Sequence, residues 1–174
     1  MPVVKPFQAV RPAKNPEKIA SLPYDVISEQ EAREEYAKNP LTFFRIGRTE
    51  ILFEEGIDPY SEAVYAKGRE VIRQDLKNGV FLREEKDCFY IYRQQVGPFS
   101  QTGLVTLVSC EDYDADVIKK HELTREDKEK DRFNHIYKTG AHAEPVFLAY
   151  RAQAEMDALT EKIVKGAPLY DFTT

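Results

Sequence analysis

Apolar positions along the chain change period several times, and each change marks an element. Between Asp58 and Gly79, the residues Tyr60, Val64, Val71, Ile72 and Leu76 recur at the spacing that places them on one helical face. Asp58 reads as the N-cap, Pro59 as the first helical residue and Gly79 as the stop, which predicts a helix over 59–78. Gly68 falls on that face, where a missing Cβ admits a close neighbour at about 1 kcal/mol of helix propensity relative to alanine. Upstream, Ser28 with Glu31 forms a capping-box pattern that opens a short helix, and Asn39-Pro40 ends it. The apolar run Leu41–Ile46 reads as a strand, and Gly47–Gly56 as a strand remnant with a loop.

Downstream, Cys88–Gln95 and Gln101–Cys110 read as strands joined through Val96–Ser100, a connection short enough for an antiparallel hairpin. Tyr90 and Tyr92 alternate on one face of the first, in packing positions. Leu104–Val108 is apolar at nearly every residue, which predicts a central strand covered on both faces. Pro145–Tyr150 reads as a further strand, and Met156, Leu159 and Ile163 mark a last helix that stops at Gly166. Prolines at 2, 6, 12, 16 and 23 keep the N-terminal stretch mostly extended, with one edge strand around Val4–Val10. The mixed order and the hairpin predict an α+β fold: a mixed, partly antiparallel sheet with packed helices, the 59–78 helix lying across it, in a single domain over 1–174.

Composition narrows the setting. Hydrophobic residues at 42% and charged residues at 32% of 174 are globular proportions with a well-solvated surface. No apolar run approaches the ~20 residues that span a bilayer, and the N-terminus lacks a signal-peptide layout, so a cytoplasmic protein without membrane attachment is expected. Cys88 and Cys110 fall in strand-like segments without metal-ligand spacing and read as a buried, reduced pair. A net charge of −5 argues against broad nucleic-acid binding.

The chemistry-bearing stretch runs from Lys119 to His135. Thr124 can cap a helix with Glu126 and Asp127 in its first turn. On that helix Lys128, Arg132, His135 and Thr139 fall within about 80° of one another, while Phe133, Ile136 and Tyr137 centre roughly 130° away and are expected to anchor it to the core. Lys128, Arg132 and His135 on one face require an anion, or a carboxylate such as Asp131 or Asp25, among them. One reading is a phosphate or carboxylate site beside the helix N-terminus, with His121 and Glu122 just before the cap placed to exchange protons or help hold a metal, and Lys120 adjoining. The other is a solvated helix, since every residue from Arg125 to Arg132 is charged. Asp25, in the rigid Pro23-Tyr24 turn, is either a turn-capping aspartate or a site carboxylate. His142 reads as a loop residue. Walker, dinucleotide-binding, nucleophile-elbow and zinc patterns do not occur in the sequence, so it names no cofactor and no metal.

Taken in order, Pro6-Phe7 with Arg11-Pro12, Pro23 to Ser28, Asp58-Pro59-Tyr60, Tyr90 to Gln94, Gln101-Thr102-Gly103, Lys119 to Thr124 with Lys128 and Asp131-Arg132, and Pro145 to Leu148 resemble the uncharacterised family DUF1015, often labelled ParB-like. The block from His121 to Thr124 with its downstream Lys128 and Asp131-Arg132 is its most specific part. The resemblance implies a ParB/sulfiredoxin-like fold. It also implies a longer parent protein, whose later half carries an Asp-Gly-His-His-Arg motif beyond the point where this chain stops. On that basis the chain is expected to be an N-terminal part without substantial turnover of its own. The parent is expected to be an ATP-dependent small-molecule phosphotransferase or phosphatase. His121 and Glu122 would be its catalytic candidates, and Asp25, Lys120, Thr124, Lys128, Arg132 and His135 would hold a phosphorylated metabolite or nucleotide. The alternative is a regulatory or chromosome-partitioning-type binding module without catalysis.

Overall fold

The computed structural model describes residues 2–120 and 123–173. In chain order the elements are β1 (Val4–Lys5), β2 (Val10–Pro12), α1 (Pro16–Ile19), α2 (Glu29–Lys38), α3 (Phe44–Gly47), a 3-10 turn (Thr49–Leu52), α4 (Glu62–Lys77), β3 (Phe81–Arg83), β4 (Tyr90–Val96), β5 (Phe99–Val105), β6 (Leu107–Val108), α5 (Cys110–Asp114), α6 (Glu126–Thr139) and α7 (Ala154–Val164). Helices with short antiparallel strand pairs make the fold α+β. The chain divides into two compact units, each built from separated segments: 1–11, 83–123 and 148–171 in one, and 12–82, 124–147 and 172–174 in the other.

The second unit is helical. Its core gathers Ile19, Ile46, Val71 and Phe81, with a neighbouring cluster of Ala32, Phe44 and Ile51. The capping box at α2 forms as the sequence predicts: Ser28 Oγ accepts from the Glu31 N–H, and Glu31 accepts from the Ser28 N–H at 2.8 Å. Arg33 then ties α2 to the 3-10 turn, donating to the carbonyls of Ile51 at 3.0 Å and Phe53 at 2.7 Å. Helix α4 starts later than its proline suggests. Asp58 closes a turn, accepting from the Tyr60 N–H at 2.9 Å, and Ser61 takes the N-cap position. Gly79, at φ +69°, ends the helical run beyond Lys77. Gly68 does admit close neighbours, since a Cβ there would lie 3.0 Å from Thr49 Oγ1 and 3.4 Å from Thr139 Cγ2.

Three expectations are corrected in this unit. Leu41–Ile46 is not a strand: Phe44 and Ile46 are buried from the short helix α3, and a short apolar run suits either conformation. Gly47–Gly56 holds the 3-10 turn instead of a strand remnant. Helix α4 packs on α3 and α6, not across a sheet.

In the first unit, β4 and β5 form the expected antiparallel hairpin, with Tyr90 opposite Val105 and Val96 opposite Phe99. Gly97 turns it at φ +56°, a backbone conformation that side chains beyond glycine resist. Tyr90 packs edge-on against Phe7 at 5.2 Å, donates to the Phe7 carbonyl and accepts from the Ala9 N–H, both at 3.0 Å. Tyr92 is exposed. Val4 pairs with Val108 as β1 joins β6. Leu104–Val108 is therefore no central strand. It breaks at Thr106, whose hydroxyl donates to the Lys5 carbonyl at 2.7 Å, and Leu107 is 52% exposed in a two-stranded ladder. Cys110 is exposed at the start of α5, so the two cysteines are not a buried pair. Helix α7 lies over the predicted positions, whereas 145–150 has no strand and exposes Val146 and Phe147.

Candidate functional site

Helix α6 carries the polar chemistry of the helical unit, with a face opposite to the expected one. Asp131, His135 and Thr139 are buried, whereas Phe133 is 64% and Tyr137 is 76% exposed, their rings stacked at 5.8 Å, and of the expected anchors only Ile136 is half-buried. Hydrogen bonding explains the inversion. Asp131 Oδ1 accepts from the Tyr65 hydroxyl at 2.8 Å, His135 Nε2 meets the Ile46 carbonyl at 3.0 Å, and Thr139 Oγ1 donates to the His135 carbonyl at 2.6 Å. A carbonyl only accepts, so Nε2 is the protonated nitrogen of His135. The helix also begins at Glu126 with Arg125 in the N-cap position and no side-chain cap, so Thr124 does not cap it.

Arg132 stands at the centre of this face. Its Nε and Nη2 donate to Asp131 Oδ2 at 3.1 and 2.6 Å, and its Nη1 donates to Glu144 Oε2 at 2.8 Å. The guanidinium carbon lies 4.0 Å from the centre of the Tyr24 ring. Tyr24 is placed by the rigid Pro23 turn, which Arg48 holds by donating to the carbonyls of Tyr24 and Ile27. Gly47 borders the far carboxylate, since a Cβ there would come within 3.3 Å of Glu144 Oε1. A planar fork, two carboxylates and an aromatic face thus fix one cation in one orientation.

Burial tunes these groups. It pushes the Glu144 carboxyl up, against the pull of Arg132, and the charge of Asp25 adds to the rise. The Tyr65 hydroxyl is raised by burial and by its donation to Asp131. Tyr24 is raised by burial, with Arg132 opposing. Burial would lower Arg132, but its bonds to Asp131 and the charge of Glu144 outweigh that and raise it.

The structure brings together some of the residues expected from sequence. Arg132 and His135 share the buried face, and Lys128 is half-buried one turn before Arg132. Asp25 is exposed, yet near enough for its charge to act on both Tyr24 and Glu144. Thr124 is exposed, and so is the loop residue His142. Lys120 belongs to the other unit, where its ammonium lies 4.4 Å from the centre of the Tyr113 ring. His121 and Glu122 lie outside the described residues. Sequence reasoning missed Tyr24 and Glu144 as partners of Arg132, and Tyr65 as the partner of Asp131. Only Tyr65 left a signal, because it adjoins Val64 on the apolar face of α4. Among the described residues no three acidic, histidine or cysteine side chains gather as a metal site. Two clefts of this unit lie elsewhere: one of about 220 Å³ along Arg69, Arg73 and Lys77, and one of about 400 Å³ lined by Tyr36, Arg45, Lys67 and Gln74.

A family model described as protein of unknown function (DUF1015) matches residues 4–174. The chain belongs to the DUF1015 family. No curated protein and no solved structure matches this DUF1015 chain. No helix among its described residues is long and apolar enough to cross a membrane.

Proposed function

We propose that the helical unit of this DUF1015 protein recognises a small anionic metabolite, phosphorylated or carboxylated, with Arg132 as the recognising cation. The observation that carries this reading is the guanidinium of Arg132, held in one plane by Asp131 and Tyr24 while its Nη1 is turned to the carboxylate of Glu144. Preorganised forks of this kind bind carboxylate and phosphate oxygens with little further ordering. Lys128 supplies a second positive charge one turn away. In this reading the protein works in the cytoplasm on a soluble metabolite or nucleotide. Chemistry on that ligand, such as phosphoryl transfer, needs proton-transfer groups of the His121 and Glu122 type brought to the same place. The test is a titration of acetate, inorganic phosphate, phosphoserine and ATP against the native chain and Arg132→Ala at fixed ionic strength. Binding that the substitution abolishes supports the reading. Equal binding by both proteins, or none by either, ends it.

A second reading, a non-catalytic binding module, is favoured by the stacked and exposed Phe133 and Tyr137 on the outer face of α6. It expects a partner whose capture is lost in a Phe133→Ser, Tyr137→Ser double variant that keeps its melting temperature.

A further inference from the structure

We infer that Glu144 is an internal stand-in for the carboxylate of a small monocarboxylate ligand, seated on Arg132 until that ligand displaces it. This inference rests on the reading that Arg132 recognises small anions, and it names both the ligand class and the regulation of that site.

The two carboxylates on Arg132 are held very differently. Asp131 is buried, adjoins Arg132 on the same helix and is anchored by the Tyr65 hydroxyl. It takes Nε and Nη2 and fixes the plane of the fork. Glu144 reaches Nη1 alone, from a segment without regular secondary structure. Among the described residues, positions 141–147 take part in no backbone–backbone hydrogen bond; Ala143 packs on the core and the Ala141 carbonyl accepts from Thr139, so the Glu144 side chain can leave without breaking a backbone ladder. Its seat is shaped for a carboxylate oxygen, because Gly47 leaves open the space that a Cβ would narrow to 3.3 Å from Oε1. Burial raises the Glu144 carboxyl despite the ion pair, so its charged form occupies the seat under tension.

Charge selects the ligand. With Glu144 withdrawn, Arg132 and Lys128 stand against Asp131 and Asp25. A monocarboxylate restores the present balance. A phosphate dianion places one more negative charge beside Asp131 and Asp25, which repel it. The stand-in also taxes binding, since the ligand gains only the fraction of molecules whose seat is open.

The experiment uses the 174-residue chain and the Arg132 Nε–H nuclear magnetic resonance signal, with acetate and inorganic phosphate titrated at pH 8 and constant ionic strength. Wild type is compared with Glu144→Gln, Glu144→Ala and Arg132→Ala, the last followed through neighbouring backbone signals. Glu144→Ala removes the stand-in and leaves the space beside Gly47 open, and it decides the matter alone if Glu144→Gln does not fold. Acetate is expected to bind both seat variants at least about fivefold more tightly than wild type. It should exceed phosphate there and lose its binding in Arg132→Ala. Equal acetate affinity in wild type and the seat variants overturns the stand-in while leaving anion recognition by Arg132 intact. Tighter binding of phosphate than acetate overturns the monocarboxylate class. Absence of Arg132-dependent binding for both ions removes the inference together with the reading beneath it.

Discussion

The Tyr65 hydroxyl donates to Asp131 Oδ1 at 2.8 Å, joining α4 to α6 through a carboxylate that is only 7% exposed. Asp131 in turn orients Arg132, so a phenol on one helix sets the direction of a cation on another. Tyr65→Phe removes that donor while keeping the ring and its edge-on approach to His135 at 6.4 Å. The expected loss is about 1–3 kcal/mol, because a buried carboxylate oxygen is left short of a partner. Urea denaturation measures it, and a loss below about 0.5 kcal/mol would show that water replaces the hydroxyl.

Arg132 answers to three partners, and its removal leaves two carboxylates facing each other. Arg132→Ala is expected to destabilise the protein by roughly 3 kcal/mol, since the breaking of a half-buried pair exposes the repulsion and desolvation it had offset. Arg132→Lys should recover only a minor part, because an ammonium cannot serve Asp131 and Glu144 in one plane or stack on Tyr24. Full rescue by lysine in thermal denaturation would mean that charge alone matters there.

The pH dependence follows from Glu144, whose carboxyl burial raises above the ordinary glutamate range. A folded-state value above the unfolded one means that the native state binds the proton first as the pH falls. Native stability attributable to this group therefore increases on acidification through that window and decreases as the pH rises through it. Glu144→Gln cannot titrate. The stability difference between wild type and Glu144→Gln should shift toward wild type as the pH moves from 7 to 5. Arg132, Asp131, Tyr24, Tyr65, His135 and Asp25 are the titratable groups around it, and all are common to both proteins. A constant difference across that range would contradict the raised carboxyl.

Gly68 and Phe133 make opposite predictions for substitutions on helices. Gly68→Ala gains about 1 kcal/mol of helix propensity, but its Cβ meets Thr49 Oγ1 at 3.0 Å and Thr139 Cγ2 at 3.4 Å. A net loss of about 1–2 kcal/mol is expected from overpacking. Phe133→Ser, on the exposed side of α6, should stay within about 0.5 kcal/mol of wild type. Calorimetry that reversed this order would restore the aromatic face to the core.

What could be read from sequence was local. The capping box of Ser28 and Glu31, the stop at Gly79, the close approach at Gly68 and the hairpin through Gly97 each follow from a few adjacent residues. The face of α6 could not be read that way. Hydrophobicity assigns Phe133 and Tyr137 to the interior, and only the partners Tyr65 and the Ile46 carbonyl reveal why Asp131 and His135 go there instead. The same holds for Leu41–Ile46, whose apolar run fits a strand or a buried turn of helix until its neighbours are known. At the candidate site, Arg132 and His135 were visible as a helical stripe. Glu144 was not, because nothing in its loop sequence announces a partner twelve positions earlier.

Both units are interrupted in sequence, so no continuous run of codons encodes either one. On a ribosome adding about 5–20 residues per second, Tyr65 waits roughly 3–13 seconds for Asp131, which is synthesised 66 positions later. Throughout that interval α4 emerges with Tyr65, Gly68 and its apolar neighbours uncovered by α6. Vectorial synthesis therefore makes the helical unit late to close, and a nascent chain halted between residues 83 and 123 would present that open face to chaperones.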